Sequence, residues 1–134
     1  MPTARELQAA VYGHAGMREW DKVEAMMHED FVLYEAECLP FGGEWKGKDA
    51  LQRCFGAMAS TWADIAVDIH DITGGENWAV TVLTLTMTSK VTGNTFSQTV
   101  CEAGTFEDGL MTSLRIHYFD SDEVAREAKG EAAA

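Results

Sequence analysis

In "LQRCFGAMASTWADIAVDIH", Leu51 to His70, the hydrophobic period changes within twenty residues. Leu51, Cys54, Phe55 and Met58 recur at i, i+3, i+4 and i+7, the stripe of an amphipathic helix that opens near Lys48 or Asp49. From Trp62 the pattern alternates instead. Ile65, Val67 and Ile69 stand against Ala66, Asp68 and His70, as on the two faces of a strand.

The same change of period divides the whole chain. Upstream, Leu7, Val11 and either His14 or Ala15 predict a helix from Thr3 to about Ala15, which Gly16 ends. A second helix follows, with Asp21 and Glu24 as a capping pair and Trp20, Val23 and Met27 as its stripe. Phe31 opens a short strand, and "PFGGEWKG" reads as a Pro/Gly turn. Downstream, "TGGEN", "KVTGNT" and "EDG" separate the long runs "WAVTVLTLTMTS", "FSQTVCEAGTF" and "LMTSLRIHYF", a meander of antiparallel strands. Helices first and sheet later define an α+β class, with helices packed on one face of a curved sheet. The expected organisation is one domain over 1–120, then a charged C-terminal tail over 121–134 that makes a short helix or frays.

At 134 residues the chain can bury a core without staples. Its net charge of -12 and lack of clustered Lys and Arg argue against nucleic acid or an anionic membrane as partner. The N-terminus lacks a signal-peptide pattern, and no window approaches the roughly 20 apolar residues of a membrane span. Cys38, Cys54 and Cys101 are odd in number, widely spaced and set among apolar residues, as reduced thiols in the cytoplasm would be. His14, His28, His70 and His117 show no ligand spacing, so neither a metal nor another cofactor is expected. His28 reads as a helix-end residue near the favourable dipole terminus. The "FGG" and "TGG" stretches are turns rather than phosphate cradles, and the seven methionines are core filler.

Two acids stand out against this background. In "FVLYEAECLPFGGEW", Phe31, Leu33, Glu35 and Glu37 share one strand face, and Val32, Tyr34, Ala36 and Cys38 the other. In the strand from Thr95 to Phe106 the bulky residues Phe96, Val100 and Phe106 lie on the face that also carries Gln98, Glu102 and Gly104. Glu102 is therefore expected to point inward, where a carboxyl is neutral, paired or hydrated. No Lys or Arg on that face can pair with it, which favours neutrality.

The order of elements, with "REWDKVEAMMHEDFVLYE", "WKGKDALQRCF" and "GTFEDGLMTSLRIHYF", resembles the nuclear-transport-factor-2-like superfamily, and within it the ketosteroid isomerase and SnoaL-like polyketide cyclase branch. The resemblance covers about Glu6 to Phe119. It implies a cone-shaped curved antiparallel sheet packed against three N-terminal-half helices, and a homodimer formed through the outer sheet face. Carried over residue by residue, it places the general base at Glu35, the protonated oxyanion-hole acid at Glu102 and a Tyr donor at or beside Tyr12. The aromatic on the last strand falls at Tyr118.

Phe55, Met58, Val100, Leu114 and Ile116 would supply apolar substrate contacts. Glu37, one step nearer the mouth, should be solvated. Both acids are Glu where the isomerase has Asp, and Ala36 stands where its Pro follows the base. The implied activity is therefore of isomerase, cyclase or dehydratase type on a small apolar, polyketide-like or steroid-like carbonyl compound. The alternatives are a non-catalytic binding or carrier domain, and a hydrolase or hydratase adding water to an epoxide or alkene.

Overall fold

The computed structural model describes residues 1–130; the last four residues of the tail expected above lie outside the described residues. The chain opens with α1 (Ala4–Gly16) and α2 (Trp20–Ala25), continues through β1 (Met27–Glu35), β2 (Gly43–Lys46) and α3 (Ala50–Thr61), and then runs through β3 (Trp62–Gly74), β4 (Trp78–Ser89), β5 (Thr95–Glu107) and β6 (Leu110–Tyr118) to α4 (Ser121–Lys129). The six strands form one sheet in the order β2-β1-β6-β5-β4-β3. All neighbours are antiparallel except β1 and β6, which run parallel because the chain crosses the whole sheet between them. Register breaks between Ile69 and Asp71 in β3, and between Thr105 and Phe106 in β5, mark where strands bend and the sheet curves.

Local chemistry explains most of the helix boundaries. Thr3 caps α1 by accepting from the Glu6 amide while the Glu6 side chain reaches back, a complete capping box. Ala4, Gln8 and Val11 form its buried stripe, with Ala15 packed beside them. Asp49 occupies the N-cap position of α3 without a side-chain cap bond, its carboxylate instead accepting from Arg53 Nε at 3.1 Å, and Ala50 and Cys54 are that helix's buried residues. For α2 the expected cap moves: Glu19 is the N-cap residue and Asp21 lies inside the first turn. Met27 already belongs to β1, because α2 ends after less than two full turns.

The core comprises two clusters of buried residues, bridged by the half-buried Trp45, Met58 and Ile116. Phe31, Leu33, Met111 and Leu114 pack beneath α1 and α2. Leu83, Met87, Val100 and Trp62 pack beneath α4 and the β1–β2 link. Val124 is fully buried and Ala125 nearly so, which identifies the helical alternative as the one the tail adopts through Lys129. The Pro/Gly stretch also does more than turn: Gly43–Lys46 pairs with β1, setting Trp45 opposite Leu33, while Leu39 and Phe41 enter the core. His28 is a strand residue of β1 rather than a helix end; its Nδ1 accepts the Asp30 amide at 3.0 Å.

Candidate functional site

Between the concave face of the sheet and helices α1 and α3 lies a cavity of about 420 Å³. Its wall is apolar through Val11, Leu33, Leu83, Met111 and Leu114, and its polar groups gather from five elements: Tyr12, Glu35, Cys54, Glu102 and Tyr118. Arg18, Val67 and Ile69 line it and are also solvent-exposed, which locates the opening between the α1–α2 junction and β3.

Glu35 ends β1 and is 6% exposed. Its Oε2 accepts from the Tyr118 hydroxyl at 3.3 Å and from the Cys54 thiol at 3.9 Å, whereas Oε1 has no hydrogen-bond partner among the described residues. Burial pushes its pKa up from 4.5 to about 8; the Tyr118 bond opposes this and the charge of Glu102 adds to it. The carboxyl is therefore held mostly neutral near pH 7, and its ionised fraction grows as pH rises through about 8. Burial likewise raises the Tyr118 phenol and the Cys54 thiol, with Glu35 contributing to both, so neither ionises near neutrality.

Glu102 sits mid-way along β5, and the surface it keeps faces the cavity. The Tyr12 hydroxyl donates to its Oε1. Burial raises the Glu102 pKa, partly offset by that bond. Tyr12 is raised well above its ordinary value by burial first and then by Glu102. Behind this pair, the fully buried Gln8 donates to the Thr81 hydroxyl at 2.8 Å and to the Glu102 carbonyl at 3.1 Å, pinning α1 to β4 and β5. Gly104 makes room for it: a Cβ there would come within 2.0 Å of Gln8 Oε1.

Of the residues singled out from sequence, Tyr12, Glu35, Phe55, Met58, Glu102, Leu114, Ile116 and Tyr118 all line the one cavity. Val100 does not; it is fully buried in the core cluster that holds Leu83, Met87 and Val124. Glu37 lies in the turn after β1, exposed, on a separate outer cleft of about 370 Å³. Arg18, Cys54 and Gln8 contribute without having been singled out for the site. Only Cys54 carried a periodic signal, as an inward position of α3. Among the described residues no group of three or more His, Cys, Asp or Glu could hold a metal ion, and all three cysteines are unpaired.

An apolar cavity in a curved α+β sheet, with a few convergent polar groups, is a small-molecule pocket. The SnoaL-like domain family matches residues 9–114, and the chain belongs to that family. No curated protein matches the chain in sequence. The fold is similar to that of a nuclear-transport-factor-2-like protein from Burkholderia thailandensis, at 17% identity over 95% of this chain and 98% of that one, with a TM-score of 0.84. It is also similar to TerC, co-crystallized with polyporic acid, at 16% identity over 92% and 96% and a TM-score of 0.77. A putative SnoaL-like polyketide cyclase from Jannaschia follows at 13% identity over 84% and 80%, with a TM-score of 0.69. No helix among the described residues is long and apolar enough to cross a membrane.

Proposed function

We propose that the protein is an enzyme of isomerase, cyclase or dehydratase type that uses carboxyl acid–base chemistry on an apolar carbonyl compound. The observation that carries this reading is the pair Glu35 and Glu102 on one apolar cavity, each with its own tyrosine. Ionised Glu35 takes a proton from the carbon next to the substrate carbonyl, and the bonding pair moves to the carbonyl oxygen as an enolate. Glu102, neutral and held by Tyr12, donates a hydrogen bond to that oxygen. The proton on Glu35 then returns to another carbon in an isomerisation. Alternatively the enolate carbon closes on a second carbonyl, whose oxygen takes the proton from Glu35, or a β-hydroxyl is expelled and leaves as water with that proton. Ketosteroid isomerase divides the work between two acids in the same way.

The unpartnered Oε1 of Glu35 supports this role, since a base must keep a lone pair for its substrate. A second reading has its own support: burial raises both carboxyls, which favours their neutral forms in a mostly apolar cavity, as a binding or carrier domain for apolar molecules would want. Incubation with a panel of apolar ketones and hydroxyketones separates the two, with complexes read by native mass spectrometry and products by chromatography. The enzyme reading expects a product that Glu35→Gln abolishes while the complex persists. Complexes without conversion in the wild type would assign the carrier.

The assembly and location follow the same reading. The outer face of β4 and β5, with Thr86 bonded to Ser97 and Thr88 to Thr95, is where a second copy would pack to form a homodimer. Three unpaired thiols suit the reducing cytoplasm. Sedimentation of the purified protein tests the dimer.

A further inference from the structure

The opening of the cavity carries a group that the proton-transfer reading leaves unused. Among the described residues Arg18 is the only Lys or Arg on the cavity wall, in a chain whose net charge is -12. It follows α1 and holds a φ of 59°, in the left-handed region that non-glycine residues rarely occupy. Such strain persists only where the surroundings over-determine it, and it gathers at ligand clamps.

The surroundings here are specific. Arg18 Nη1 donates to the Ala15 carbonyl at 2.9 Å and the Gly16 carbonyl at 3.3 Å, at the negative end of α1. Its guanidinium lies 4.3 Å from the centre of the Phe55 ring, which is itself held edge-on by Trp20 at 5.6 Å. The adjacent acid does not neutralise it: Glu19 is taken by His14 at 3.0 Å and Lys22 at 2.8 Å. Among the described residues Arg18 forms no salt bridge. A guanidinium has five donors, so a fixed fork with unused N–H groups is left at the cavity rim.

We propose that Arg18 is the anion-binding subsite of this cavity, and that the substrate is an elongated apolar acid whose carboxylate sits at the rim while its apolar body runs inward. The substrate class rests on the reading above, in which the reacting carbonyl lies at the deep end beside Glu35 and Glu102. A molecule polar at both ends and apolar between matches a cavity built in the same way. The rim charge would fix which end enters first, and hence which carbon is presented to Glu35.

The test uses decanoate and decanol, which share a chain length and differ in the charge of the head group, titrated calorimetrically into the full chain at pH 7. Wild type should bind decanoate about fivefold or more tightly than decanol, with the advantage shrinking as salt is added. Arg18→Gln should remove the preference and leave decanol binding within about twofold. Arg18→Gly removes the charge while relieving the positive φ, so the same loss in a variant of unchanged or raised Tm excludes a folding defect. Preference that persists in both variants would place the head group at the deep carboxyls and overturn the proposal. So would equal binding of the two probes by the wild type. Glu35→Gln should keep the preference, so a failure of the acid–base chemistry and a failure of the rim subsite are separately visible.

Discussion

Stability should fall as pH rises, and Glu35 is the reason. Folding moves its carboxyl from an ordinary pKa of 4.5 to about 8, so the folded state holds a proton that the unfolded chain releases. Between those values the native state binds more protons than the unfolded one, which makes the slope of unfolding free energy against pH negative. The stability is complete below pH 4.5 and is lost as pH climbs through about 8. A gap of 3.5 pH units, from 4.5 to about 8, comes to about 5 kcal/mol at about 1.36 kcal/mol per unit, of which about 4 kcal/mol falls between pH 5 and pH 9. Water entering the cavity on ionisation would lower this, so the figure is a ceiling. Glu102 adds a contribution of the same sign, so the comparison has to be with Glu35→Gln, which removes one titration and leaves the other. Urea unfolding of both proteins at pH 5 and pH 9 gives the answer. Wild type should lose more of its midpoint than the variant, by up to about 2 M. Parallel losses in the two proteins would mean that Glu35 titrates as it does in the unfolded chain, and the base poised near neutrality would be gone.

Other outcomes follow from the same geometry. Glu102→Gln should keep a donor in the cavity and much of the activity, whereas Glu102→Ala should lower kcat by about 10²–10³-fold, read from turnover of any substrate found. Gly104→Ala should push Gln8 off Thr81 and the Glu102 carbonyl, destabilising the fold by about 1–3 kcal/mol in denaturant melts and loosening the Tyr12–Glu102 bond. Val124→Ala should cost about 2 kcal/mol in the same melts, because the side chain is fully buried; a loss near zero would mean that α4 is not docked in solution.

The parts legible from sequence are those whose signal is local and repeated. The helical stripe of α3 and the alternation in β3 needed nothing beyond their own residues, and the apolar neighbours of Glu102 told which way β5 faces. The family resemblance, more than periodicity, brought Glu35, Tyr12 and Tyr118 into one list. What escaped depends on distant partners. Strand β2 is four residues inside a Gly-rich stretch, and only its pairing with β1 makes it a strand. The buried face of α4 is a short stretch in a charged segment and looks like a tail until Leu39, Phe41, Leu83 and their neighbours are in place around it. Val100 has the pattern of a wall residue, yet the cluster it shares with Leu83, Met87 and Val124 covers it fully. Arg18 gives no signal at all, since its direction is set by a positive φ that nothing in "GMREW" announces.

The central claim, that Glu35 is a base acting on a carbon acid in this cavity, can be measured before the natural substrate is known. β-Tetralone, a compact apolar ketone, exchanges its acidic carbon-bound protons for deuterium in deuterium oxide, and proton NMR follows the loss of signal. The wild-type protein should accelerate exchange over buffer, with a rate that rises with pH to a plateau and a midpoint near 8, and Glu35→Gln should return it to the buffer rate. Exchange as fast with Glu35→Gln as with the wild type, or no acceleration by a wild type that demonstrably binds the ketone, would contradict it.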